Sequence, residues 1–177
     1  MYDNNSHQKR FKKTLDFLDR CIDPQSFILD LGVENPLSEL MKAKGYKVQN
    51  TQGQDLDEDQ NILTETKIEV VTAFEILEHL LSPYQVLKSI QANKLVVSVP
   101  LKLWFAPAYR SKTDLKDRHF HEFEDWQFDW LLEKTGWKII ASEKWINPPK
   151  SFGLRSLLRY FIPRYYIVYA KKIKNQS

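Results

Sequence analysis

Four side chains in the middle of this 177-residue sequence have the types and spacing for chemistry: Glu75, Glu78, His79 and His121. The first three stand at offsets of zero, three and four. On a helix these offsets span an arc of about 100° and aim all three side chains one way. His121 lies beyond the next apolar run, and that run's carboxyl end is expected to open onto the same crevice. Two carboxylates and two imidazoles suit manganese, cobalt, iron or zinc better than magnesium, which prefers oxygen and water. Without a metal, His79 or His121 could act as a general base. A plainer reading has Glu78 and His79 capping and packing around a loop. A second set lies upstream in ILDLGVENP (28–36), an apolar run ending in Asp30 and Gly32. Glycine lets the backbone approach a ligand, and a helix starting just after it directs free N–H groups to the same place. The Asp30 carboxylate can accept from an amine or a hydroxyl. A lone glycine after a strand is a weak signal, and its context strengthens it.

Positioning these groups requires a succession of strands and helices. Phe11, Leu15, Leu18 and Ile22 recur at helical spacing within residues 8–22, and Asp23-Pro24 ends that helix. SFILDL reads as a buried strand. Asn35 can cap a helix begun by Pro36, which runs to Gly45, and YKVQNT forms a second strand. Residues 52–61 are acidic and read as a solvated loop. IEVVTAF is a third strand, followed by helix-like sequence from Ile76 to Ala92, and KLVVSVP is a fourth. LWFAPAYRSKTDLKDRHFH is too long for a turn and reads as a lid or substrate loop. WQFDWLLEKTG is an amphipathic helix. WKIIASEKW and RYYIVYAKK form a closing strand pair around a short basic helix, LRSLLRY. Alternating strands and helices followed by paired strands predict one α/β domain over residues 1–177, with a mainly parallel sheet.

Composition sets the outer limits. Hydrophobic residues make up 42% and charged residues 28%, an ordinary globular balance, and the net charge of +3 decides nothing about nucleic acid. The one cysteine, Cys21, excludes an internal disulfide and makes a reducing cytoplasm the simplest compartment. Ending a helix with no histidine near it in sequence, Cys21 reads as a packing residue. No secretory signal opens the chain, and no apolar run approaches the roughly 20 residues that span a bilayer. Trp104, Phe105, Tyr109, Arg110, Lys112, Lys116 and Arg118 interleave rings with positive charge. They could stack bases and hold phosphates, close over a lipophilic phenol, or pack as a flap. Residues 150–164 could rest on a membrane or an anionic partner, or pack beside the last strand. His119 reads as part of the aromatic loop, and His7 as a surface residue.

In this order the segments resemble a class I S-adenosylmethionine-dependent methyltransferase. ILDLG looks like that family's first motif, and VVTAFEILEHLLSP like its fourth-strand segment. KLVVSVP resembles the fifth strand, and HEFEDWQFDWLLEKTGWKI the stretch before the sixth. The resemblance covers residues 8–172 and implies a Rossmann-like sheet with an antiparallel last strand and helices on both faces. It implies S-adenosylmethionine as cofactor, with Asp30, Gly32 and Glu34 at its methionine end, Gln52 and Asp55 near the ribose, and Phe74 beside it. Departures are specific. Glu34 and Pro36 replace the usual second and third glycines, Gln52 replaces the ribose acid, and the segment before IEVVTAF is compressed.

E-x-x-E-H followed by H-x-F-E-x-W also resembles metal-dependent small-RNA 3′-terminal 2′-O-methyltransferases and ubiquinone-pathway O-methyltransferases. That likeness implies a divalent ion, manganese or similar, on Glu75, Glu78, His79 and His121, gripping vicinal hydroxyls. Methylation of a small molecule's oxygen is the activity implied, with RNA as another acceptor. A binding module of the same fold that has lost its cofactor is the alternative. A nicotinamide-dependent oxidoreductase is third, because G-x-G-x-x-G is missing.

Overall fold

The computed structural model describes residues 4–114, 117–147 and 157–173. Lys116 and the first three residues of the basic helix expected at 154–160 lie outside the described residues. Among the described residues the fold is built from four helices and six strands: α1 (Asn4–Cys21), β1 (Phe27–Asp30), α2 (Pro36–Ala43), β2 (Lys47–Asn50), β3 (Val70–Phe74), α3 (Pro83–Ser89), β4 (Lys94–Pro100), α4 (Asp125–Lys134), β5 (Trp137–Trp145) and β6 (Tyr165–Lys172). They build a single sheet in the order β2-β1-β3-β4-β6-β5. The first four strands are parallel, and β6 runs antiparallel to both β4 and β5. The last strand in sequence is therefore the reversed one, as expected.

Side-chain alternation divides the core into two layers. Ile28, Val70, Val96 and Ile167 face Leu15 and Leu18 of α1 and Leu37 and Met41 of α2. Their neighbours Leu29, Val71, Val97 and Val168 face Val86 and Leu87 of α3 and Phe128 and Leu132 of α4. Helices thus cover both faces of the sheet. Each such aliphatic side chain contributes about 1.5–3 kcal/mol when buried, so a one-residue slip that exchanged the faces would cost many of these terms at once. The chain leaves β1 to one side through α2 and β2, and resumes on the other side at β3. A crevice opens at such a reversal, outside the carboxyl ends of the strands. No helix of the described residues is long and apolar enough to cross a membrane.

Two stretches depart from expectation, and both shape the site. Between β2 and β3 the chain makes only turns and one 3₁₀ turn, Asn61–Thr64. Its acidic run is more than a solvated loop: the Asp57 carboxylate accepts from the Leu81 and Ser82 amides, each at 2.8 Å. The continuous helix expected from Ile76 to Ala92 does not form. Leu77–His79 is a single 3₁₀ turn, and α3 starts afresh at Pro83. Proline lacks the amide a helix needs and keeps the preceding residue out of helical conformation, while Asp57 takes the two amides just before the new helix.

Candidate active site

The β1 strand ends in a turn that needs glycine. Gly32 has φ +106°, and its amide donates to Thr51 Oγ1 at 2.7 Å. A Cβ there would lie 3.4 Å from the Ile76 side chain. Beyond the turn, the Asn35 side chain accepts from the Leu37 and Ser38 amides, and its carbonyl accepts from Glu39. These bonds consume the first amides of α2, so the free N–H groups expected at this helix start are already satisfied.

Asp30 is buried at the crevice floor. Thr72 Oγ1 donates to its Oδ1 at 2.6 Å and Asn50 Nδ2 to its Oδ2 at 3.1 Å. Burial pushes its pKa up to about 6, against the opposing pull of those two bonds and of Lys42. The crevice above it encloses about 310 Å³, and Arg10, Asp30, Asn35, Phe74, Glu75 and Ser98 contribute to its walls. Asp30 and Phe74 thus stand at one crevice, beside the Gly32 turn.

Glu34, Gln52 and Asp55 are elsewhere. Glu34 is exposed and ion-paired with Lys42 on α2. Gln52 is exposed, and Asp55 closes its own turn by accepting from Asp57 and Asp59. Strand β2 stops two residues before Gln52, so Asn50 is the residue that reaches Asp30. Asn50 Oδ1 is buried without a hydrogen-bond partner.

Glu75 also belongs to this crevice. At φ +58° it is the one described non-glycine residue in the left-handed region, and Ser98 Oγ donates to its Oε1 at 2.8 Å. Arg10 of α1 lies 3.6 Å from its other oxygen. Burial raises the Glu75 pKa, opposed by Arg10 and Ser98. The crevice therefore offers carboxylates and a guanidinium together. That donor set fits an amino-acid zwitterion such as the methionine end of S-adenosylmethionine, and the orphaned Asn50 oxygen fits a hydroxyl or amine donor.

A second cluster lies next to Glu75 along the chain. Glu78, His79 and His119 bring one ligand-type atom each to within 4.8 Å of one another. Glu78 is 1% exposed, and its Oε2 has no partner. Burial, reinforced by the nearby Glu75 charge, holds its carboxyl well above the usual range. His79 Nδ1 donates to the Arg118 carbonyl at 3.0 Å, and burial, partly offset by that bond, lowers its pKa. His119 Nδ1 donates to Glu122 Oε1 at 3.0 Å, and the two imidazoles meet edge to face at 5.0 Å. Each ring thus has Nδ1 tied and Nε2 left to accept a proton or a cation, the arrangement typical of ligating histidines.

This corrects the expected quartet of Glu75, Glu78, His79 and His121. The helix that was to align the first three is broken, and Glu75 turns to Ser98 and Arg10. His121 hydrogen-bonds the Leu81 carbonyl at 3.2 Å and lines a separate groove with Tyr84 and Phe120. His119, read as part of the aromatic loop, takes its place. Arg10 and Asn50 had no signal of their own: one lies on a distant helix, and the other is an ordinary strand-end amide.

No protein-family model matches the sequence, and neither does any curated protein. Solved structures do share its fold. A chain from the complex of the Haloferax volcanii Trm112 methyltransferase activator with a protein described as a methyltransferase has a TM-score of 0.66 at 10% identity, covering 98% of this chain and 94% of that one. The 1,6-didemethyltoxoflavin-N1-methyltransferase of Burkholderia thailandensis, with S-adenosylhomocysteine bound, gives 0.60 at 14% identity, covering 97% and 80%. The [4+2]-cyclase SpnF gives 0.58 at 12%, covering 94% and 82%. The chain has the class I S-adenosylmethionine-dependent methyltransferase fold. A cyclase among these structures is a reminder that the fold does not by itself fix the reaction.

Proposed function

We propose that this chain, acting as one domain, is an S-adenosylmethionine-dependent methyltransferase that methylates a hydroxyl oxygen of a small molecule. The observation carrying this reading is the crevice at the carboxyl ends of β1, β3 and β4, where Asp30, Glu75 and Arg10 converge beside Glu78, His79 and His119. When bound, the cofactor supplies an electrophilic methyl group on a sulfonium. Asp30 and Glu75 would hold its ammonium, Arg10 its carboxylate, and Gly32 would let its chain pass close to the backbone. His79 is the proposed base. Its lowered pKa keeps Nε2 unprotonated at neutral pH, and the Arg118 carbonyl fixes the tautomer. His79 Nε2 would take up the proton of the acceptor hydroxyl as that oxygen is methylated. The rest of the catalysis is positioning.

A divalent cation on Glu78, His79 and His119 is a second reading, favoured by the unpartnered Glu78 oxygen and the tied outer nitrogens of both rings. It would lower the acceptor's pKa, replacing His79 as base. The free Cys21 thiol agrees with a reducing compartment, and we place the protein in the cytoplasm on that ground.

Calorimetric titration with S-adenosylmethionine and S-adenosylhomocysteine tests the main reading. Micromolar binding supports it. No heat and no thermal stabilisation at millimolar ligand would end it and leave a binding module of methyltransferase fold.

A further inference from the structure

Glu122, the partner of His119, also lines a second cavity of about 290 Å³, whose walls include Phe105, Tyr109, Arg110, Arg159 and Arg164. Three arginines and one glutamate carboxylate thus line one cavity. That carboxylate is already engaged, accepting from His119 Nδ1 at 3.0 Å and from the Tyr109 amide at 3.3 Å. None of the ion pairs among the described residues includes Arg110, Arg159 or Arg164. Gathering like charges around a partly enclosed space is unfavourable unless an anion completes the set.

One of the three is held in place by the fold. Arg164 stands at the head of β6, where its amide donates to the Trp145 carbonyl at 3.0 Å and its own carbonyl accepts from Leu101 at 2.7 Å. Its Nη1 donates to the Leu101 carbonyl at 2.6 Å, which orients the guanidinium and leaves its other nitrogens for a ligand. Arg110 pairs through its backbone with Arg118, the residue whose carbonyl fixes His79.

We propose that this cavity binds a phosphoryl group of the methyl acceptor, so that the substrate is a phosphorylated small molecule. The inference rests on the methyltransferase reading above. Net charge selects phosphate over carboxylate. On the cavity walls three arginines outnumber one carboxylate, with Arg164 also within electrostatic reach of Glu75 and Glu78, and a phosphate monoester carries about −1.5 to −2 at neutral pH. Guanidinium forks match its oxygens in geometry as well. The volume suits one phosphoryl group and a few attached atoms, whereas a nucleic-acid backbone would need a continuous groove. Because Glu122 is both a wall of this cavity and the partner of His119, an anchored phosphate would leave the rest of the substrate beside His119, His79 and the crevice.

The test titrates the full chain with inorganic phosphate and, separately, with S-adenosylhomocysteine, in the wild type and in an Arg110→Gln/Arg159→Gln variant. Arg164 is left intact because it also braces Leu101. Phosphate is expected to bind the wild type and to bind the variant about tenfold more weakly or worse, as the loss of two charge-assisted donors requires. S-adenosylhomocysteine affinity should agree within about twofold between the two proteins, which also shows that the variant is folded. Equal phosphate affinity in both proteins, or displacement of phosphate by chloride at matched ionic strength, overturns the proposal. A short single-stranded RNA that displaces phosphate far better than glycerol phosphate does would overturn the small-molecule assignment. Phosphate discrimination without S-adenosylhomocysteine binding would sink the methyltransferase reading and leave the anion site standing. The reverse pattern would sink the anion site alone.

Discussion

Replacing Asp30 by asparagine separates the requirements of folding from those of the site. The carboxyl is buried, and its pKa rises from 3.8 unfolded to about 6 folded. Between these values the folded chain holds a proton that the unfolded chain has released, so stability falls as pH rises through the window. The full loss, complete once pH exceeds about 6, is roughly 3 kcal/mol. The amide of the variant carries no such term. It can also be accommodated, because Asn50 presents an unpartnered Oδ1 beside it and could turn its own amide to accept from the new NH₂ group while Thr72 Oγ1 keeps its bond. Urea unfolding of both proteins at pH 4.5 and pH 7.5 gives the measurement. The stability of Asp30→Asn relative to wild type should rise by about 2 kcal/mol between the two pH values. A difference that stays flat would show that Asp30 ionises freely in the folded chain, and the burial argument would fail. If Asp30 meets the cofactor's ammonium, S-adenosylhomocysteine should also bind wild type more tightly as pH passes about 6, and bind the variant weakly throughout.

Three further outcomes are expected. Glu75→Ala should be less stable than Glu75→Gly by about 1 kcal/mol in urea melts, since only glycine relieves the left-handed backbone at that position; equal stabilities would remove the claim of strain. Gly32→Ala should cost about 1–3 kcal/mol, from φ +106° and the nearby Ile76 side chain, and should weaken S-adenosylhomocysteine binding in a protein that still folds. With cobalt as a spectroscopic reporter, His119→Ala should abolish metal absorption bands and His121→Ala should leave them; loss in both variants, or in neither, would refute the cluster as a metal centre.

Strands β1, β3 and β4 were legible because each is a short, largely apolar run, and the two-face alternation of Ile28 and Leu29, or Val70 and Val71, follows directly from strand geometry. The segment from Ile76 to Ala92 was not, because helical spacing within it is real but local. Pro83 and the remote Asp57 decide the outcome, and Asp57 is 25 positions away from Ser82. That His119 rather than His121 sits with Glu78 and His79 was not legible for a related reason. Two histidines separated by one residue in an extended segment share a side, so spacing cannot rank them. The ranking comes from Glu122, which holds His119, and from the Leu81 carbonyl, which holds His121 away. Gln52 was expected near the ribose because the second strand was read as running to Thr51; pairing in register with Asp30 ends β2 at Asn50.

Glu75 is where the two halves of the candidate site join. The chain reaches the end of β3 with Phe74 lining the crevice, and must then place Glu78 and His79 in a neighbouring cluster only a few residues later. A helix beginning at once would carry Glu75 and Glu78 to one face, stacking two buried carboxylates whose repulsion would force one to stay protonated. The left-handed turn at Glu75 keeps the two off one helix face, although the Glu75 charge still reaches Glu78 and helps raise its carboxyl pKa. It sends one carboxylate back to Ser98 and Arg10, and lets the next turn deliver the other to His79 and His119. A conformational cost on the order of 1 kcal/mol at one residue thereby divides four acidic and imidazole groups between a ligand crevice and a reactive cluster.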